Sequence, residues 1–162
     1  MCKVRLIAAV DRNMAIGKGN ELIYHIKDDM KHFRGMTMGN TVIMGRKTFE
    51  SLPNGPLSGR RNIIITRNKD YKADGAEVFN TFYEAMFACK FDCFVIGGAE
   101  IYKQAIKFAD EVYLTEIDDE CDDADKFFPP LSDMGEYLEV EREHHDGFDF
   151  VKYVAVQDSC PC

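Results

Sequence analysis

Two adjacent carboxylates, Asp28 and Asp29, lie in the stretch LIYHIKDDMKHF (22–33). Ile26, Met30 and Phe33 recur at i, i+4 and i+7, the apolar stripe of a helix packed on a core. On such a helix Asp28 lies toward water with Lys31 and His32, whereas Asp29 falls on the edge of the stripe. A carboxylate taken out of water is costly unless something pairs with it. Two partners are open. The helix N-terminus offers N–H groups, and a donor-rich ligand offers two parallel hydrogen bonds, as an aminopyrimidine edge would.

Other residues have the chemistry of an anion site. IGGAEIY (96–102) ends an apolar run in Gly97-Gly98 and then opens a helix, and MGRKTF (44–49) does the same with Gly45, Arg46, Lys47 and Thr48. IIITRN (63–68) ends in Thr66 and Arg67. Each alone is weak: Gly-Gly turns are common, and an Arg at a strand end is usually solvated. If the three ends converge, an anionic, nucleotide-sized ligand is the better reading, because backbone N–H groups at helix N-termini attract anions. The GxGxxG fingerprint is absent, so that particular dinucleotide fold is not supported.

The elements that must position these residues are legible as apolar runs. VRLIAAV (4–10), TVIMG (41–45), NIIIT (62–66), AEVF (76–79), CFVIGG (93–98) and EVYLTEI (111–117) read as strands. The second, third and fifth are apolar on both faces and suit a parallel sheet covered on each side. Between them lie amphipathic KDDMKHFRGM, RKTFESL, TFYEAMFACK and AEIYKQAIKFA, the third opening with Thr81 as N-cap and Glu84 in a capping box. This alternation predicts an α/β domain. Asp146-Gly147 sits between two strand-like runs and predicts an antiparallel hairpin at one edge. Residues 11–27 lack periodicity and contain two glycines, which predicts a mobile loop beside a site.

Composition narrows the classes. A chain of 162 residues, 46% hydrophobic and 30% charged, is expected to form one globular domain over residues 1–162. No apolar run is long enough for a membrane span, and no signal peptide is evident, so a cytoplasmic location is expected. The net charge is −8, of which DDECDDAD (118–125) supplies −6, leaving −2. That segment lacks the Gly and the terminal Glu of an EF-hand, and reads as a solvated acidic loop. Without a basic stripe, nucleic acid is a poor partner. Cys2, Cys89, Cys93, Cys121, Cys160 and Cys162 show no metal-ligand spacing, so no metal is expected; they read as reduced, individually placed thiols, the last two in a frayed tail. His25, His32, His144 and His145 read as surface residues, and Phe82, Tyr83, Met86 and Phe87 as helix-to-sheet packing.

Over essentially its whole length the chain resembles dihydrofolate reductase. The resemblance rests on LIAA, IG in the first long loop, the helix with Asp29, VIMGRKTFES, GRRNIIITRN, VIGGAEIY and VYLTEID, all in family order. It implies an eight-stranded, mostly parallel sheet with an antiparallel C-terminal strand and flanking helices. The implied reaction is NADPH-dependent reduction of 7,8-dihydrofolate to tetrahydrofolate, by hydride transfer to pterin C6 and protonation of N5. Asp29 would hold the pterin 2-amino group and N3, with Thr115 bracing it. Ile7, Ala8, Met30, Phe33, Ser51, Leu52, Leu57, Ile96 and Tyr102 would line the folate site, and Arg60 would grip the α-carboxylate of the glutamate tail.

The same resemblance implies a cofactor site. Ala9, Ile16, Gly17 and Asn20 would border nicotinamide, under a lid formed by residues 11–27. Gly45, Arg46, Lys47, Thr48, Thr66 and Arg67 would hold the phosphates, Arg46 and Arg67 selecting the 2′-phosphate of NADPH. Ile96, Gly97, Gly98, Ala99, Glu100, Ile101 and Tyr102 would complete the site, with the Gly97–Gly98 bond cis. Antifolate inhibitors would compete for the folate site, and a monomer is expected. One departure stands out. The family usually has Pro-Trp before the Asp, where this chain has Ile23-Tyr24 and no Trp. Tyr24 is the expected substitute donor near the pterin. A pyrimidine reductase of riboflavin synthesis is the nearest rival, but it lacks the Asp-x-x-x-Phe helix and Arg60.

Overall fold

Runs that are apolar at every position become strands buried on both faces. The computed structural model describes residues 2–19, 21–134 and 136–156. Its first half contains β1 (Val4–Val10), β2 (Ala15–Lys18), β3 (Glu21–Leu22), α1 (Lys27–Thr37), β4 (Thr41–Gly45), α2 (Arg46–Glu50), β5 (Arg61–Ile65) and β6 (Glu77–Phe79). Then follow α3 (Phe82–Ala88), β7 (Cys93–Gly97), α4 (Ala99–Ala105), β8 (Glu111–Ile117), β9 (Lys126–Phe127), β10 (Tyr137–His145) and β11 (Phe148–Ala155). The expected strands are present with ends shifted by at most one residue.

An eight-stranded sheet runs β10-β11-β8-β1-β7-β4-β5-β6. From β8 to β6 neighbouring strands are parallel, while β11 is antiparallel to both β8 and β10. Side chains alternate between two cores. Val42, Met44, Ile64 and Ile7 join one, with Phe33 and Met36 of α1 and Phe49 of α2 packed against it. Ile43, Ile63, Ile65 and Val95 join the other, with residues of α3 and α4. This two-sided burial is why the central runs carry no polar alternation.

Local signals explain the helix ends. Thr81 caps α3 by accepting the Glu84 N–H at 3.1 Å. The helix α1 ends where the Met38 N–H donates to the Arg34 carbonyl, just before Gly39 at φ +79°.

Several expectations need correction. Residues 11–27, expected as a loop, include β2 and β3, and β2 pairs with β3 and with β9 in a separate three-stranded sheet. The acidic segment is exposed, but it is also the counter-charge of that sheet. Arg12 pairs with Asp118 and Lys18 with Asp123, while the Gly19 N–H donates to both oxygens of Asp125. Met30 does not pack on the core and is 63% exposed. On α3, Phe82 is buried, but Tyr83 and Phe87 are exposed. Cys2, Cys89, Cys93 and Cys121 are free thiols, and the first three belong to the core with α3 and α4. Asn20, Cys160 and Cys162 lie outside the described residues.

Candidate active site

A short connection places Asp29 against the sheet. The helix α1 follows β3 after residues 23–26 and packs Phe33 and Met36 over β4 and β5, so its first turn lies over the ends of β1 and β8. There Ala9 pairs with Thr115 in the parallel register. Thr115, 2% exposed, donates its hydroxyl to Asp29 Oδ1 at 2.5 Å. Asp28 is exposed and Asp29 half-buried, as the stripe predicts. Burial raises the Asp29 pKa, while the Thr115 hydrogen bond and the charge of His32 pull the other way. Among the described residues no protein donor reaches Asp29 Oδ2.

Around it, Ile7 is buried, and Phe33, Leu52, Leu57 and Ile96 pack with it on the same face. Ala8 is placed differently. Alternation along β1 turns its side chain into the opposite core, so only its backbone borders the cleft. Tyr102 is also buried in that core, its hydroxyl donating to the Ile7 carbonyl at 2.6 Å. Ser51 is exposed and donates to the Thr48 carbonyl. Burial, with the charges of Asp119, Asp11 and Cys121, pushes the Tyr24 phenol up to about 12.

Arg60 is pre-positioned. Its Nε donates to the Ser58 carbonyl at 3.0 Å and its Nη1 to Thr37 Oγ1 at 3.1 Å. Burial and the neighbouring Arg34 lower its pKa. No carboxylate pairs with either guanidinium among the described residues. Two adjacent cations without an anion are what a carboxylate ligand would complete. The 57–61 turn is held by a residue the sequence did not point to: buried Asn62 accepts the Leu57 N–H and donates to the Leu57 and Arg60 carbonyls. A second unforeseen residue is Asp11, 3% exposed, which accepts the N–H groups of Asn13, Ala15 and Cys121. His32 is a third. It is half-buried and stacks on Phe150 at 4.0 Å, and that phenylalanine pairs with Thr115 in register.

The strand ends do converge. Gly45 pairs with Ile65, which places Arg46 beside Thr66, with Arg67 exposed next to it. Arg46 reaches Glu50 at 4.0 Å and lies over the Tyr71 ring. A Cβ at Gly45 would stand 3.1 Å from Ile101 Cγ1, so β4 and α4 approach there only because no side chain intervenes. Gly97–Gly98 is a cis peptide, with Thr48 Oγ1 3.5 Å from where a Gly98 Cβ would be. Ile16 and Gly17 are buried residues of β2, and Ala99 and Ile101 pack into the α4 core, while Lys47 and Glu100 are exposed. A different cavity of about 610 Å³ lies between β8, the β10–β11 hairpin and Pro130-Leu131. There Arg142 pairs with both Glu116 and Asp149, and of the residues above only Asp11 lines this cavity.

The family model for dihydrofolate reductase matches residues 3–156. The chain belongs to the dihydrofolate reductase family. It is 44% identical over 144 residues to the dihydrofolate reductase of Neisseria meningitidis, covering 88% of each chain. It is 40% identical to dihydrofolate reductase type 3 of Salmonella typhimurium, covering 93% of this chain and 92% of that one. Among solved structures it matches dihydrofolate reductase from Enterococcus faecalis, complexed with NADP(H) and RAB-propyl. That match has a TM-score of 0.86 and 30% identity, over 96% of this chain and 97% of the other. The dihydrofolate reductase fold thus accounts for the sheet order, the antiparallel β11 and the flanking helices.

Proposed function

We infer that the cleft at Asp29 reduces 7,8-dihydrofolate to 5,6,7,8-tetrahydrofolate with NADPH, supplying one-carbon metabolism. The observation that carries this reading is Asp29 itself: a half-buried carboxylate that has, among the described residues, one partner, the Thr115 hydroxyl, and no donor on its second oxygen. A pterin edge presents the two donors that such a carboxylate lacks. Once paired, Asp29 stays ionised, and its negative charge favours a proton on N5, which solvent delivers. Thr115 fixes the carboxylate in the plane that this pairing needs. Ile7, Phe33, Leu52, Leu57 and the exposed Met30 exclude water around the ring, and the Arg60 fork takes the tail carboxylate. The backbone of Ala8 and the Ser51 hydroxyl border the same ligand.

NADPH fits the glycine-lined strand ends and, when bound, supplies the hydride. Gly97 and Gly98 let backbone approach a pyrophosphate, and Thr48 adds a hydroxyl. Arg46, Thr66 and Arg67 gather where a 2′-phosphate would be held, and Ala9, Ile16 and Gly17 border the nicotinamide end. Tyr24, in the place of the family's Trp, would offer its hydroxyl near the pterin. The reading includes one domain over residues 1–162 acting as a cytoplasmic monomer; among the described residues, no helix is long and apolar enough to cross a membrane. The test is oxidation of NADPH followed with and without dihydrofolate. Consumption that requires dihydrofolate, and that is far weaker with NADH, is the expected result; no dihydrofolate dependence sinks the assignment.

A further inference from the structure

The start of α1 carries the carboxylate of the cleft, yet few of its residues hold it to the sheet. Its N-cap position, Ile26, makes no side-chain capping bond. Lys27, Asp28, Met30 and Lys31 are exposed, so over residues 27–32 only Asp29 and His32 are drawn in. These two are three apart and therefore neighbours on one face of the helix. Their contacts on the sheet are neighbours as well. Thr115 of β8 and Phe150 of β11 are directly opposite in the antiparallel pair, which puts both side chains on the same face. Asp29 meets the Thr115 hydroxyl, and the His32 ring lies on Phe150 with centroids 4.0 Å apart and planes within 15°. Phe150 is itself braced, with Phe148 at 5.3 Å and His145 at 4.8 Å packed edge-on against it.

We propose that His32 is a positioning residue for reduction in this cleft: its ring, seated on Phe150, fixes the first turn of α1 so that Asp29 stays on Thr115. The inference rests on the reading of Asp29 as the carboxylate that takes the pterin edge. A single hydrogen bond is a pivot, about which the turn would roll and carry the free carboxylate oxygen away from a bound ligand. A second contact, one turn along the helix and one strand over, removes that freedom. Misplacing a reacting group by even a fraction of its own size is costly in rate. The ring acts through its face and not through a charge. Burial lowers the imidazole pKa, Asp29 and Glu143 oppose that, and His145 adds to it; the net is below the ordinary histidine value. The ring is therefore uncharged at neutral pH. Stacking on Phe150 asks only for a flat aromatic surface.

The experiment compares full-length His32→Ala, His32→Phe and Phe150→Leu with the parent at neutral pH. Three quantities are read: single-turnover hydride transfer with both ligands saturating, NADPH affinity, and the Thr115 hydroxyl proton by NMR without ligand. That proton lies far downfield while it donates to a carboxylate. In His32→Ala and Phe150→Leu, hydride transfer should fall on the order of 10- to 100-fold. The Thr115 signal should move upfield or exchange away, with NADPH affinity unchanged. His32→Phe keeps a ring for Phe150 and has no proton to give, and it should restore both the rate and the signal. A His32→Phe variant as slow as His32→Ala would overturn the proposal, since the imidazole nitrogens rather than the ring would then matter. So would a slow His32→Ala with the Thr115 signal in place, an unslowed Phe150→Leu, or lost NADPH affinity, which would mean that the stack supports the fold at large. The Thr115 signal needs no substrate. A parent that oxidises no NADPH with dihydrofolate, yet loses that signal in His32→Ala and keeps it in His32→Phe, would refute the activity while upholding the contact.

Discussion

At the scale of single residues, the chemistry turns on one carboxylate and one guanidinium. Asp29→Asn keeps the size and one hydrogen bond to Thr115 but removes the charge that favours a proton on N5. Hydride transfer should fall severely at neutral pH while NADPH binding stays intact, and the deficit should shrink as pH falls, because solvent acid then protonates N5 unaided. Asp28→Asn, exposed on the same turn, is the control and should cost only a dipole contribution of roughly 0.3–1 kcal/mol in stability. Single-turnover rates across pH, with saturating NADPH, measure both; a severe loss in Asp28→Asn alone would reverse the assignment. Arg60→Ala should weaken dihydrofolate binding by on the order of 1.5–3 kcal/mol, the worth of a charge-assisted contact. A pteridine without the glutamate tail should bind the variant as before. Equal losses for the two ligands, by titration, would mean that Arg60 shapes the turn rather than holding the tail.

At the scale of elements, the segment after β1 is clasped by Asp11. Asp11→Ala leaves the N–H groups of Asn13, Ala15 and Cys121 without their acceptor. A buried unsatisfied donor costs about 1–3 kcal/mol. Faster amide exchange at Ala15 and Cys121, with β4 and β7 unchanged, is the expected result, and uniform acceleration across the sheet would mean global destabilisation instead. This clasp was illegible in the sequence, because Asp11 and Cys121 are brought together only by tertiary structure and neither shows periodicity. The strands were legible for the opposite reason: TVIMG and CFVIGG are buried on both faces, so each run declares itself without knowledge of its neighbours. Asp29 was legible because a helix turns a spacing into a face. Met30 was misplaced by the same rule, since helical spacing identifies a side but not what lies beyond it. Asn62 and His32 gave no local signal, as each acts on residues supplied by another element.

Across the whole molecule, Glu111 ties the centre of the sheet together. It accepts from Lys3, Arg5 and Tyr113, with Lys152 nearby at 3.8 Å. Burial alone would raise its pKa, but the hydrogen bonds from Tyr113, Arg5 and Lys3 more than offset that and hold it at about 2. A folded pKa depressed below the unfolded value gives stability that is complete above the unfolded pKa and is lost as pH falls through the folded one. The network should therefore contribute on the order of 3 kcal/mol at neutral pH, fading between about pH 4.5 and about pH 2. Urea melts of Glu111→Gln against the parent should differ most at pH 7 and converge through that window; a constant difference would mean that packing, not ionisation, is responsible. Glu111 also marks a feature of the topology, since β1 is flanked by β7 and β8 and not by the strand that follows it in the large sheet. β1 thus leaves the ribosome long before either of its neighbours is made. Closing a loop of this length costs roughly 4 kcal/mol in chain entropy before any pairing offsets it. Folding in the cell should accordingly be held back until most of the chain has been made, with high contact order setting a slow final step. Nascent chains arrested with residues 1–109 exposed should be degraded by protease, and chains exposing residues 1–156 should resist it. Early resistance would mean that β1, β7 and β4 assemble without their C-terminal partners.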